Sequence, residues 1–173
     1  MSTNRRHPGR GRIDPASLPR GANGRPLCRH CGTELPESRR RTFCSDACVH
    51  EWRLRSDAHY LKEQVRRRDH GVCALCGIDT YRLARVVKAW RVAIGAEGRR
   101  RFESILKEWK WRPGGRQWDA DHILPVVAGG GECGIENVRT LCIWCHRRET
   151  ASLAHARASA KRAAAHDGRM SDG

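Results

Sequence analysis

Four residues whose types can do hydrolytic chemistry fall close together late in the chain: the pair Asp121-His122, then Asn137 fifteen residues beyond His122, and His146 nine beyond that. Carboxylates and imidazoles hold divalent ions, and an imidazole, with an ordinary pKa of about 6.5, accepts a proton readily at neutral pH. A carboxamide can pin a neighbouring loop. Two cysteines stand just before the last of these residues, in the run Cys142-x2-Cys145-His146. Asp119 lies two residues before Asp121, on the same face of any strand through them, and is the rival carboxylate.

Cysteine spacing points to metal rather than to disulfides. Cys28/Cys31, Cys73/Cys76 and Cys142/Cys145 are Cys-x-x-Cys pairs and Cys44/Cys48 is a Cys-x3-Cys pair, so that only Cys133 of the nine cysteines stands alone. A short knuckle aims two thiolates at one tetrahedral centre, which suits zinc. The run Cys28-x2-Cys31-x12-Cys44-x3-Cys48 therefore predicts a first structural zinc site, closed by four thiolates. Cys133 reads as a loop thiol. His30 lies inside the first knuckle and could replace a cysteine, but four thiolates already suffice; His50, His59, His70, His155 and His166 read as helix-surface or capping residues.

Charge names the partner. The 173 residues carry 34 Lys+Arg against 19 Asp+Glu, a formal +15, which is the electrostatic footprint of a nucleic-acid binder. With 39% hydrophobic residues the chain has little apolar material for a large core, so metal staples are expected to hold small lobes. No signal-like or membrane-spanning apolar run is present, which predicts an intracellular, cytoplasmic protein that does not act with a membrane. A disulfide-rich secreted protein is disfavoured on the same grounds.

Several elements must position these residues. Residues 1–26, rich in Arg, Gly and Pro, read as a disordered basic arm. Residues 27–56 form the first zinc unit, with a helix beginning near Ser45. Residues 57–72 form a linking helix capped by Ser56 and stopped at Gly71. A domain over 73–165 follows, with a helical insert at 80–112 whose Leu83, Val86, Val87, Trp90 and Ile94, then Phe102, Ile105, Leu106 and Trp109, recur at helical spacing. Gly95 closes the first of those runs. Trp118 to Pro125 reads as a strand, 126–134 as a glycine-rich loop and Ile135 to Leu141 as a second strand. Cys142 to about Ala165 reads as a long helix, and 166–173 as a tail. The fold class is α+β.

The line WDADHILPVVAGGGECGIENVRTLCIWCHRRET resembles the ββα-metal core of HNH endonucleases, in particular the subgroup clamped by zinc knuckles. Residues 28–155 are also similar to the C-terminal nuclease module of animal annealing-helicase endonucleases, through the segment RSDAHYLKEQVRRRDHGVCALC and the insert before WDADH. The resemblance implies a ββα-metal HNH core with a helical insert, preceded by a small four-cysteine zinc-finger unit. It implies that His122 is the general base, Asn137 the residue that orients it, and Asp121 and His146 the ligands of a catalytic divalent ion: Mg²⁺ or Mn²⁺, with Zn²⁺ or Ni²⁺ as alternatives. A second structural zinc would join Cys73, Cys76, Cys142 and Cys145, two knuckles separated by 65 residues. Closing so long a loop is entropically costly, and its use would be to fix the start of the last helix, and with it His146.

The function expected is hydrolysis of phosphodiester bonds in DNA, with targeting left to a helicase or other partner. The competing expectation is a non-catalytic zinc protein that binds DNA or RNA. Charge and zinc fit both, whereas the joint presence of Asp121, His122, Asn137 and His146 fits only the first.

Overall fold

In a computed structural model the described residues are 13–132 and 134–170. The loop-thiol reading of Cys133 therefore lies outside them, as do residues 1–12 of the N-terminal arm and 171–173 of the tail. The chain divides into two compact units: Met1–Arg67 with His122–Val138, and Arg68–Asp121 with Arg139–Gly173.

In the first unit, ordered structure starts before Leu27. A turn of 3-10 helix at Pro15–Ser17 is capped by Asp14, whose carboxylate accepts from the Ala16 amide at 2.9 Å. Arg20 bridges to Pro26, Leu27 bridges to Glu34, and Leu18 is buried. The reading of residues 13–26 as a disordered arm is thus corrected. Leu18 supplies the apolar anchor that the Arg/Gly/Pro composition obscures. Helix α1, Asp46–Ser56, begins where expected, with the Ser45 hydroxyl accepting from the Cys48 amide at 3.1 Å. Helix α2, Ala58–Asp69, follows almost at once. Its cap is Asp57 and not Ser56: the Asp57 carboxylate accepts from the His59 and Tyr60 amides at 3.0 and 3.1 Å. Ser56 instead donates its hydroxyl to the Trp52 carbonyl at 2.8 Å and completes the last turn of α1. Residues 123–137 return as a loop that contains short 3-10 turns at Val126–Ala128, Gly130–Glu132 and Ile135–Asn137.

The second unit holds the helical insert, α3 at Thr80–Ala93 and α4 at Ala96–Glu108. Asp79 caps α3 by accepting from the Tyr81 and Arg82 amides at 3.0 and 2.9 Å. Gly95, expected to end the first run, serves as the N-cap of α4. Strands β1, Trp118–His122, and β2, Val138–Cys142, pair in a two-stranded antiparallel sheet. Both are shorter or later than the sequence suggests: β1 stops before Pro125, and Ile135–Asn137 is a turn and not strand. Helix α5 runs Ile143–Met170, past the Ala165 end expected. Its Ala-rich last turns have no glycine or proline stop until Gly168, which the helix absorbs.

The core of this unit centres on a cysteine cluster. Cys73, Leu141, Cys142 and Cys145 pack as one buried cluster with Trp144 against it, while Leu106, Trp118 and Ile143 are also buried. Such a core is small, and a metal ion held by its cysteines would stabilise the fold more than the apolar area does. No helix among the described residues is long and apolar enough to cross a membrane.

Candidate metal and nuclease site

The Cys28/Cys31 and Cys73/Cys76 knuckles are made the same way. A glycine four residues after the first cysteine donates its amide to that cysteine's carbonyl, Gly32 to Cys28 and Gly77 to Cys73, both at 2.9 Å. Both glycines have positive φ, 73° and 72°, the left-handed conformation that lets the chain reverse under the metal without a Cβ clash. The thiols of Cys28, Cys31, Cys44 and Cys48 lie within 4.8 Å of one another, as do those of Cys73, Cys76, Cys142 and Cys145.

These sets fit zinc. A tetrahedron with Zn–S bonds of about 2.3 Å has edges of about 3.8 Å, and the sulfurs of Cys76 and Cys142 are 3.7 Å apart, those of Cys31 and Cys44 3.6 Å. Amide hydrogens point at the sulfurs, Cys44 at Cys28 and Cys145 at Cys142, at 3.4 and 3.5 Å. The Thr33 hydroxyl brings the Cys31 thiol down to about 6. Burial pushes the Cys73 thiol up, but backbone hydrogen bonds with Cys142, Cys76 and Leu75 outweigh it and hold it at about 6. Thiolate is the ligand form, which these two shifts favour. In the same sets Cys48, against the pull of the Ser45 hydroxyl, is pushed up to about 12 by neighbouring thiols, and Cys145 to about 12 by burial and neighbouring thiols.

Within the second unit, β1 and α5 bring Asp121 and His146 together. His146 sits in the first turn of α5, one residue after Cys145, so a zinc ion held by that cysteine set would fix the helix start and its imidazole together. The Asp121 carboxylate is split between two tasks. Its Oδ2 accepts from Arg139 Nε and Nη2, both at 3.2 Å, while its Oδ1 faces His146 Nε2 at 3.8 Å. That gap is too long for a hydrogen bond and suits two ligands on either side of one small ion, whose bonds to oxygen and nitrogen run about 2.0–2.2 Å. Among the described residues the only groups of three or more metal-ligating side chains this close are the two cysteine sets. A divalent ion here would therefore have two protein ligands, leaving positions for phosphate and water.

In the first unit, His122 is the last residue of β1 and is half-buried. Asn137 ties down the loop that follows it. Its Oδ1 accepts from the Leu124 amide at 2.8 Å, its Nδ2 donates to the Leu124 and Gly130 carbonyls at 3.1 and 3.2 Å, and its own carbonyl accepts from Ile123 at 2.8 Å. Both main-chain groups of Leu124, two residues past His122, are thus held by one side chain. Gly130 is required for this arrangement, since a Cβ there would lie 1.9 Å from the Leu124 carbonyl oxygen and 2.8 Å from Asn137 Nδ2.

Four further residues border the Asp121–His146 pair. Asp119, read from the sequence only as a rival carboxylate, faces His146 Nδ1 at 3.4 Å and is gripped by Arg112. Arg139 bridges Asp121 to Glu149 Oε2 at 3.0 Å. The strand period of two places Asp119 and Asp121 on one face and was the available signal for the first. Arg112, Arg139 and Glu149 carried none, because arginines are common throughout this chain.

Comparison with known proteins agrees with the geometry. Residues 107–152 match the family model for HNH endonucleases. The DNA annealing helicase and endonuclease ZRANB3 of Mus musculus is 35% identical over 161 residues, and that of Bos taurus 34% over 154; each alignment takes in 80% of this chain. The chain spans only 14% of the length of these relatives. A crystal structure of the human ZRANB3 HNH domain matches 62% of this chain and 97% of its own, at 30% identity and a TM-score of 0.42. The segment carrying Trp118–His122, Asn137 and the start of α5 thus matches the HNH endonuclease family.

Proposed function

We propose that this chain is a metal-dependent endonuclease that hydrolyses phosphodiester bonds in DNA. The observation that supports it most is the facing of Asp121 Oδ1 and His146 Nε2 across 3.8 Å inside the segment that matches the HNH family. The relatives' names join annealing-helicase and endonuclease activities, so targeting by a helicase partner and an intracellular setting belong to the same proposal.

In this reading His122 takes a proton from a water molecule as the water oxygen attacks phosphorus. The P–O bond on the far side breaks, and the leaving oxygen is protonated by solvent. Asn137 holds the Leu124 loop so that His122 keeps its place at the end of β1. Asp121 and His146 would hold a divalent ion, which would supply positive charge to the phosphate and the leaving oxygen. Arg139 occupies Asp121 Oδ2 and leaves Oδ1 turned toward His146. Adjacent strand residues face opposite ways, and β1 ends at His122, where the chain is free to leave that alternation.

The test is plasmid cleavage by the zinc-loaded protein with Mg²⁺, Mn²⁺, Ni²⁺ or added Zn²⁺. Nicking that needs one of these ions, stops with a chelator of the exchangeable ion, and is lost in Asp121→Asn is expected. DNA binding without cutting under all four ions would favour the non-catalytic zinc protein instead.

A further inference from the structure

His146 is the only protein nitrogen assigned to the divalent ion, and it must offer that ion the lone pair of Nε2. An imidazole offers Nε2 when its one proton sits on Nδ1, and the group facing Nδ1 decides that. Here Asp119 Oδ2 faces Nδ1 at 3.4 Å. With the proton on Nδ1 the ring turns a donor toward Asp119 and a lone pair toward Asp121. The opposite tautomer would set a lone pair against the Asp119 carboxylate.

Asp119 is itself held firmly. Arg112 grips it with both arms of the guanidinium, Nη2 to Oδ2 at 2.6 Å and Nη1 to Oδ1 at 3.1 Å. The turn that carries Arg112 is clamped by Gln117, which is buried. Gln117 Oε1 accepts from the Arg112 amide at 3.1 Å, and its Nε2 donates to the Arg112 and Gly115 carbonyls at 2.7 and 2.9 Å. The Gln117 carbonyl also accepts from the amide of Ile143 at 3.1 Å, the first residue of α5, the helix that bears His146. One buried glutamine therefore fixes both ends of a chain of contacts that closes on the imidazole.

We propose that Gln117, Arg112 and Asp119 form a positioning relay that fixes the Nδ1-protonated tautomer and orientation of His146, so that Nε2 is presented to the divalent ion. Asp119 is a positioning residue in this account and not a ligand. The helical insert, which ends at the turn bearing Arg112, then has a role at the metal centre: it delivers the guanidinium that holds the carboxylate. The relay rests on the reading of Asp121 and His146 as ligands, but its tautomer claim stands apart from any cutting.

Two measurements on the zinc-loaded full chain test it. Long-range ¹⁵N–¹H correlation of the histidine rings, with His146→Gln used to assign the signal, should show the Nδ1–H tautomer for His146 without added divalent ion. Asp119→Asn should abolish that preference. Calorimetric Mn²⁺ titration should then show affinity weakened by about 10–100-fold in Asp119→Asn, the range expected for loss of a carboxylate behind a histidine ligand, with Asp119→Glu recovering part of it. Zinc content and melting temperature should stay those of the wild type. An Nε2–H tautomer in the wild type overturns the relay, as does Mn²⁺ affinity in Asp119→Asn within twofold of wild type, or a loss that appears only together with zinc loss. Failure of the wild type to bind any exchangeable ion, with the Nδ1–H tautomer present, would instead overturn the assignment of Asp121 and His146 as ligands and the relay's purpose with it.

Discussion

Replacing Cys142 with serine removes one of four thiolates at the centre of the second unit. Cys142 is 1% exposed and packs with Cys73, Leu141 and Cys145, and its sulfur accepts the Cys145 amide at 3.5 Å. A structural zinc contributes on the order of 10–16 kcal/mol of apparent binding free energy, against a net stability of about 5–15 kcal/mol for a whole domain. Ion and fold are therefore inseparable here. Serine keeps its proton and is a poor zinc ligand, so Cys142→Ser should hold one zinc per chain where the wild type holds two. The assay is zinc release read by a chromogenic chelator, alongside tryptophan fluorescence. Trp90, Trp109, Trp111, Trp118 and Trp144 lie in the second unit and only Trp52 in the first, so emission should shift to that of a solvent-exposed indole. Cys31→Ser should lose the other zinc and leave most of that emission in place. A Cys142→Ser protein with two zinc ions and the wild-type melting temperature would refute the reasoning.

Other perturbations test other links. Gly130→Ala would put a methyl 1.9 Å from the Leu124 carbonyl and so displace the loop that Asn137 holds; cleavage should fall by at least about 10-fold with zinc content unchanged, since a misplacement of 1 Å can cost about 100-fold, and full activity would contradict it. Burial raises the pKa of Asp69, but its ion pair with Arg68 and the Thr140 amide at 3.0 Å outweigh this and lower it. A lowered folded pKa means stability that is present above the unfolded value of about 3.9 and lost as pH falls through the folded one. Asp69→Asn should thus lower stability at pH 7 by about 1–3 kcal/mol and flatten the acid side of the stability–pH curve, a flattening that melts from pH 7 down to pH 2 would show or deny. A cavity of about 610 Å³ is lined by Arg91, Lys107, Lys110, Arg112 and Arg147 around the one carboxylate of Glu103. If DNA phosphates contact it, Lys107→Gln with Lys110→Gln should lower the log–log salt slope of DNA binding by about 1–2, measured by anisotropy in His122→Ala; an unchanged slope places the DNA elsewhere.

Much of this fold is legible in the sequence because it is written in strong local signals. The cysteine knuckles, the Ser45 cap of α1 and the stripe of α3 each follow from spacing alone. Boundaries were less visible where two signals compete. Ser56 and Asp57 both suit a helix start, and the choice falls to the carboxylate that reaches two amides. Ile135–Asn137 reads as strand by residue type, but Asn137 uses its side chain on Leu124 and Gly130 and bends the backbone into a turn. At the site, the motif pairs Asp121 with His146, and their side chains do face one another. The roles of Arg139 and Arg112 could not be read there, since a cross-strand pair and a reach of seven residues back from Asp119 exist only in three dimensions.

The central claim is that His122 activates water for attack on DNA at the Asp121–His146 centre. Single-turnover cleavage of a defined DNA by wild type and His122→Ala, at saturating protein and divalent ion, measures that step alone. The account predicts a rate lower by about 10²–10⁴-fold, with DNA affinity and two zinc ions per chain unchanged. An equal cleavage rate in the variant would contradict it.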